Sequence, residues 1–455
     1  MRNFFVSHRT TLLAGLLCAV FYWIFAYDLN RSDFLKFISL LGGLFLLSYY
    51  LIRINANSFW LLAGMGVLFR LIFIAASPNL SQDFYRFLWD GRLVIQGINP
   101  YLITPEMYLE NGQEIVPQAR ELYAGMGALN GSHYSNYPPV NQLFFAIGAL
   151  FASKSILGSA VVLRILIILA DIGILYFGKK ILEHLKLPVY HIFWFFLNPF
   201  IIIELTGNLH FESAMLLFVV WSLYLLFKGK WFWAAVLMGL SVSTKLIPLL
   251  LLPLFLQYFV KRTHIIKGLM RLAAFYGVLL ATVILTFVPF LSSEFVSNFS
   301  DTIALWFQNF EFNGSVYYII RWIGYETIGW NIIADVGKVL PLVIVGILIL
   351  LTFLRKNGQP KQLITALLFG ICIYFLLSTT VHPWYVATPL VLCVFTRYRF
   401  ALVWSFTVML SYSAYGPEGF SENLWLVALE YVIVIAFFVW ELLPKKNRLQ
   451  HAEQA

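Results

Sequence analysis

The chain has 455 residues, of which 60% are hydrophobic and 12% are charged, and its formal net charge is +9. A typical soluble domain carries about 25% charged residues, and no polar stretch here is long enough to form one, so a soluble protein is excluded. A nucleic-acid-binding surface is also excluded, because the basic residues lie in short patches between apolar runs and not on one folded face.

The apolar runs predict an all-α polytopic transmembrane bundle of roughly 11–14 spans, in one membrane-embedded domain that covers residues 1–455. The candidate spans are 11–27, 34–54, 59–77, 138–153, 156–178, 188–206, 209–227, 231–244, 246–260, 266–290, 338–354, 362–379, 384–396, 400–414 and 422–443. The first is expected to be an uncleaved span, because many spans follow it and no small-residue cleavage site is evident.

The charges between the spans predict which connections face the cytoplasm. Basic patches mark cytoplasmic connections, and they occur at Lys179-Lys180, Lys228/Lys230, Lys261-Arg262, Arg355-Lys356, Arg397/Arg399 and Lys445-Lys446. The two longest polar connections, 78–137 and 291–335, are therefore placed outside, and the first, which includes Glu114 among its acids, is expected to carry short interfacial helices.

Two segments break the simple alternation of sides. Basic patches flank 231–260 at both ends, which predicts two half-length helices that meet near Ser243-Thr244-Lys245 and leave Lys245 at the outer side or in a buried cavity. The segment 138–153 is expected not to cross the membrane fully, since two complete spans before Lys179 would put that lysine outside.

The first outer connection carries two acids at helical spacing. Asp83, Arg86, Phe87 and Asp90 follow at i, i+3, i+4 and i+7, so a helix would place them on one stripe. Its two carboxylates would lie about 10 Å apart, so one can act as a base while the other fixes a cation. The turn at 97–101 should end this helix, and the alternative is an interfacial helix with aromatic residues at the headgroups.

Further polar residues lie at the outer ends of later spans. Glu204, Asn208 and Glu212 would form a polar stripe if one helix continued through them, and the alternative is a wetted polar turn. Lys245 has no acid near it in sequence, which favours a bound anion such as phosphate over snorkelling to the interface. His382 is expected to donate a hydrogen bond or a charge, and Trp384 a face on which a sugar stacks.

In order, the motifs DFYRFLWDG, GINPY, NYPP, GNLHFE, STKLIP and VHPWY resemble those of polytopic GT-C glycosyltransferases, in particular bacterial polyprenol-phosphate-mannose-dependent mannosyltransferases. The resemblance implies inverting transfer of a sugar, with mannose expected, from a polyprenyl-phosphate donor to a lipid-linked or glycan acceptor. It also implies an integral protein of the bacterial plasma membrane with its active site on the periplasmic or extracellular side.

The resemblance also assigns roles to residues. Asp83 would be the general base, with Asp90 as the alternative, and Lys245, Arg86 and His382 would face the donor phosphate. The sugar and acceptor side would be lined by Tyr85, Asn99, Tyr101, Tyr137, Asn208, His210, Glu212 and Trp384. No metal or other cofactor is expected, because a monophosphate carrier lacks the diphosphate that usually recruits a divalent cation.

Two other functions are compatible with a polytopic chain. A transporter or flippase for a lipid-linked or small polar solute would show paired broken helices in two related halves. A sugar polymerase or ligase would use a diphosphate carrier in place of a monophosphate one. In each case the remaining partner is the lipid bilayer, and no nucleic acid is expected.

Overall fold

The computed structural model describes residues 9–112, 115–261 and 264–443. The predicted all-α class is confirmed: within these ranges the strands are β1 (Tyr415–Gly416) and β2 (Gly419–Phe420), one short antiparallel pair. Four residues that were used to predict which connections face the cytoplasm lie outside the described residues: Glu114, Arg262, Lys445 and Lys446.

The α-helices are α1 (Arg9–Tyr27), α2 (Phe34–Ile54), α3 (Phe59–Ile72), α4 (Asp83–Ile95), α5 (Pro105–Glu110), α6 (Ala119–Gly131), α7 (Pro139–Ala152), α8 (Ile156–His184), α9 (Phe193–Phe196), α10 (Pro199–Ile201), α11 (Glu212–Phe227), α12 (Trp231–Val242), α13 (Leu256–Val260), α14 (Ile265–Phe287), α15 (Ser293–Gln308), α16 (Val316–Thr327), α17 (Ile333–Leu354), α18 (Pro360–Leu377), α19 (Ala387–Val394), α20 (Phe400–Thr407) and α21 (Leu424–Leu442). A π-helix covers Ile202–Gly207, and 3₁₀ segments cover Val189–Ile192, Ile247–Phe255, Val288–Phe290, Pro383–Val386 and Val408–Ala414.

Within the described residues, seven helices are long and apolar enough to cross a membrane, or eight if the pair bent by 48° between Val189–Phe196 and Pro199–Gly207 is one span. Seven further apolar helices have only 10–17 residues. A helix of 14 residues is about 21 Å long and does not span about 30 Å of hydrocarbon. The predicted 11–14 spans therefore include helices shorter than a full crossing.

Both segments that break the alternation of sides contain short helices, as predicted. After α12 the chain turns at 243–246 and returns through the 3₁₀ segment Ile247–Phe255 and α13. The neighbouring α7 has 14 residues, and the Val140 N–H near its start donates to the Ser243 carbonyl at 2.9 Å. The turn that follows α12 thus contacts the start of α7 in the interior of the bundle.

The predicted helix of the first outer connection is confirmed as α4. It ends as expected, with Gly97 at φ 74° and the Ile98 N–H donating to the Leu93 carbonyl. Its partner α7 begins at Pro139, after Pro138 in an extended conformation, as the Pro-Pro sequence predicts. The two helices approach closely at Gly91, where a Cβ would overlap the Phe145 carbonyl, so α4 is fixed against the bundle.

Two fully buried arginines hold the broken helix around the π segment. Arg70 of α3 pairs with Asp171 of α8 at 2.7 Å and donates to the Phe196 carbonyl at 2.8 Å. Arg164 donates to the carbonyls of Ile74, Thr206 and Gly207, each at 2.9 Å. Irregular backbone inside a membrane needs such partners, because lipid offers none.

Candidate active site

A cavity of about 520 Å³ lies where the connections 78–137 and 291–335 meet the broken helices. Its wall includes Arg31 from the connection between α1 and α2, Asp83 and Arg86 of α4, Tyr137, His210, Lys245, His382, Trp384, Tyr385 and Tyr415. Asp83 and Lys245, which are 162 positions apart, thus face one space. One acid of the connection 78–137 and cations from an earlier and a later segment therefore converge on this cavity.

Asp83 and Asp90 have different surroundings although they share a helix. Asp83 is half-buried and lines the cavity. Burial raises the pKa of its carboxyl group, and the charges of Lys245 and Arg31 oppose this by lowering it. A carboxylate with a raised pKa is a stronger base, which suits proton abstraction near neutral pH.

Asp90 is fully buried and does not line the cavity. One carboxylate oxygen pairs with Arg86 Nε at 2.7 Å, and the other accepts from Ser135 Oγ at 2.5 Å and Gln142 Nε2 at 3.1 Å. Arg86 in turn donates to the carbonyls of Asn130 and His133, each at 2.7 Å. Asp90 therefore fixes Arg86 and the cavity wall after α6.

Lys245 has an internal anionic partner that its sequence neighbourhood does not contain. Its ammonium group is ion-paired with Glu212 at the start of α11, whose side chain is fully buried. The lysine side chain is 16% exposed and lies beside the Tyr385 ring, 5.7 Å from its centroid. Lys245 thus lines the cavity, but the buried Glu212 carboxylate neutralises its charge.

Four rings from three segments stack into a column along the cavity. The ring centroids of His210 and Trp384 lie 3.7 Å apart, those of Trp384 and His382 4.5 Å apart, and those of His382 and Phe312 5.2 Å apart. In the described part of the chain the two imidazoles make no ring contact with each other, so they cover opposite faces of the indole.

This column corrects two expectations about VHPWY. Trp384 offers its edge and not a free face, because histidines occupy both faces. Burial, with smaller effects from Lys245 and Arg31, lowers the pKa of His382 to about 3, so its ring is neutral at pH 7. His382 can give a hydrogen bond to a ligand but no charge.

The polar stripe through Glu204, Asn208 and Glu212 does not form. The π segment ends at Gly207, and Leu209 has φ 63°, so the helix breaks before α11 begins. The Asn208 side chain accepts from the Leu80 N–H at 3.0 Å, which ties the break to the approach to α4. Glu204 faces inwards, 3.7 Å from His210 Nε2.

Several residues expected on the sugar side lie outside the cavity wall. Asn99 donates to the Phe290 carbonyl at 3.1 Å, Tyr101 donates to the Tyr137 carbonyl at 2.6 Å, and the Tyr85 ring lies against Gly125. With Asn208, these residues hold the outer connections in place. Tyr137, His210 and Trp384 line the cavity directly, whereas Glu212 acts through Lys245.

Arg31 is a cavity cation that the sequence analysis missed. Its guanidinium carbon lies 3.1 Å from the centroid of the Tyr415 ring, and within the described ranges no carboxylate lies within ion-pairing distance. The only signal in the sequence is a single base between Asp28 and Asp33 in a short connection. Because Asp28 and Asp33 lie on either side of it, the loop has mixed charge, and its sequence does not indicate a binding site at Arg31.

No three His, Cys, Asp or Glu side chains in ranges 9–112, 115–261 and 264–443 come together in a group that could hold a metal ion. The charged groups that line the cavity are Arg31, Asp83, Arg86 and Lys245. They can bind an anion and accept a proton.

Comparison with known families adds the activity class. Residues 22–261 match the family model described as "Alpha-(1->6)-mannopyranosyltransferase, N-terminal domain", which is more than half of the chain. The chain belongs to this mannosyltransferase family. Membership agrees with the resemblance in the motifs, and the matched range contains Arg31, Asp83 and Lys245, whereas His382 and Trp384 follow it.

A curated relative is alpha-(1->6)-mannopyranosyltransferase A of Mycobacterium tuberculosis (strain ATCC 25618 / H37Rv), which is 20% identical over 330 residues. The match covers 69% of this chain and 61% of the relative, so the chain spans about three fifths of the relative's length. Together with the apolar helices, family membership makes the chain an integral membrane protein of a mannosyltransferase family.

Proposed function

We propose that this chain is a membrane mannosyltransferase that moves mannose from a polyprenyl-phosphate donor to a hydroxyl group of a lipid-linked or glycan acceptor, with inversion at the anomeric carbon. The observation that carries the proposal is the convergence of Asp83, Arg31 and Lys245 on one cavity. The family description and the relative's name support α-(1→6) as the linkage.

Asp83 is the proposed general base. Its carboxylate takes the proton of the acceptor hydroxyl, the acceptor oxygen bonds to the anomeric carbon, and the bond from that carbon to the phosphate oxygen breaks with its electrons on the phosphate. Asp83 lines the cavity and has no ion-pair partner in the part of the chain that the structure describes. Asp90 is unsuitable because both its oxygens are already engaged.

Arg31 and Lys245 are the proposed ligands of the donor phosphate. The leaving phosphate needs positive charge and hydrogen-bond donors and no proton, because it is a stable anion. Among the described residues Arg31 forms no ion pair with a carboxylate, so its charge is available to a ligand, and Lys245 supplies N–H donors beside the Tyr385 ring. The neutral His382 adds one hydrogen bond.

We place this cavity on the non-cytoplasmic side of the membrane. Lys179 of a basic patch lies over the rings of Phe59 and Trp60, near the start of α3. The chain leaves the other end of α3 at Ile72 and reaches Asp83 at the start of α4, so Asp83 follows the end of α3 that lies away from Lys179. The positive-inside rule then puts Lys179 in the cytoplasm and the cavity outside.

The test uses the purified full chain in detergent with polyprenyl-phosphate [¹⁴C]mannose and an oligomannoside acceptor. Labelled mannose should appear in the product through a new α-(1→6) bond, and GDP-mannose should not replace the lipid donor. Transfer from GDP-mannose alone would refute the donor assignment. If neither donor is consumed and proteoliposomes move a lipid-linked sugar across the bilayer, the chain is a flippase.

A further inference from the structure

The ion pair between Lys245 and Glu212 determines how much free positive charge the cavity offers. Of the residues that the structure describes, three cations line the cavity, and two of them have buried carboxylate partners: Arg86 pairs with Asp90 at 2.7 Å, and Lys245 pairs with Glu212. Only Arg31, among the described cavity residues, lacks such a partner. The described part of the cavity therefore offers a ligand one cation that is not ion-paired with a carboxylate.

Glu212 contacts the site only through Lys245. Its side chain is fully buried, one oxygen contacts Lys245, and the other has no hydrogen-bond partner in the part of the chain described here. It does not line the cavity. An acid that does not line the cavity, yet is ion-paired with the cavity lysine, acts by cancelling that lysine's charge.

We propose that Glu212 is the residue that sets the donor charge this cavity accepts, by restricting it to a single-phosphate carrier and disfavouring a diphosphate one. This inference rests on the proposed function, since it concerns the carrier of that same reaction. A sugar phosphodiester carries one negative charge, which one free cation matches. A diphosphate carries at least one more, and without a second free cation its extra charge is desolvated with no partner, which costs affinity.

Removing the Glu212 charge tests the inference directly. In Glu212→Gln, Lys245 becomes a second free cation, so the ratio of Kd for a polyprenyl-phosphate mannose to Kd for the polyprenyl-diphosphate mannose of the same chain length should rise at least about tenfold. Glu212→Asp keeps the charge and should keep the ratio. In the double variant Glu212→Gln/Lys245→Gln the second cation is gone, and the ratio should return to within about threefold of the unmodified protein.

The measurement is lipid binding to the detergent-purified full chain by native mass spectrometry, without turnover. Glu430→Gln is the matched control, because Glu430 is also fully buried but accepts from Trp404 Nε1 at 2.8 Å and Asn313 Nδ2 at 3.1 Å, away from the cavity wall. The ratio of the two Kd values should be the same in Glu430→Gln as in the unmodified protein.

A folded Glu212→Gln variant whose ratio stays within about threefold of the original would overturn the inference. If that variant does not fold, Arg31→Gln provides the test. The remaining described cavity cations are then all ion-paired, so binding of the monophosphate carrier should weaken at least about tenfold. Unchanged binding would refute the claim that Arg31 is the free cation of the cavity. Absence of mannose transfer would instead refute the proposed function, because the binding ratio needs no reaction.

Discussion

Replacing each of the two acids of α4 by asparagine should produce opposite defects. Asp83 lines the cavity and forms no ion pair within the described residues, so Asp83→Asn should remove the proposed base and leave the packing unchanged. Loss of a general base lowers the rate about 10²–10⁴-fold, equivalent to about 3–5 kcal/mol of activation free energy. Thermal unfolding of Asp83→Asn should match that of the unmodified protein.

Asp90→Asn should instead destabilise the fold. It leaves the Arg86 guanidinium, whose side chain is 5% exposed, without its carboxylate partner at 2.7 Å. Breaking a buried ion pair from one side costs about 3–5 kcal/mol. Unfolding should therefore begin at a clearly lower temperature, and any activity that remains should scale with the folded fraction.

The assay pairs initial rates of mannose transfer with thermal unfolding of the same detergent-purified samples. Asp301→Asn is the control, because Asp301 is an exposed acid of α15 and should change neither quantity. The assignment is refuted if Asp83→Asn keeps more than about a tenth of the rate, or if it loses stability as Asp90→Asn does.

Three further predictions concern the charges around the cavity and the broken helix. Because burial raises the pKa of Asp83, the acidic limb of the kcat/KM profile, where activity is lost as the pH falls, should lie above the usual pKa range of aspartate. Arg31 lowers this pKa, so Arg31→Gln should move the acidic limb to still higher pH. Lys245→Ala should raise the KM for the lipid donor more than that for the acceptor, as steady-state kinetics with each substrate varied would show; a change confined to the acceptor would contradict its phosphate role. Arg164→Met leaves three carbonyls without donors at 2.9 Å, so unfolding free energy should fall by about 3 kcal/mol or more, measured by denaturant titration in mixed micelles.

The sequence predicted local features well because their causes are local. The helix of the first outer connection follows from its spacing, its end follows from Gly97, and the turn at 243–246 follows from basic patches on both sides. Each of these needs only residues that are close along the chain.

The sequence could not predict which charges are neutralised. Glu212 lies 33 positions from Lys245, and nothing in either motif indicates that the two side chains meet. The same holds for the histidines on both faces of Trp384, which come from two segments. Both contacts depend on how the helices break and pack, and the break at Leu209 is what prevented the expected polar stripe.

The ring column also links the connection 291–335 to the candidate site. Phe312 comes from that connection, and its backbone is held in place by a bridge in which its N–H donates to the Thr379 carbonyl and its own carbonyl accepts from the Val381 N–H. If this segment were lifted away, His382 would lose the ring on its outer face and would open to water. The ring column beside the cavity is therefore complete only when residues 309–315 pack against 379–381, so the position of this connection and the exposure of His382 depend on each other.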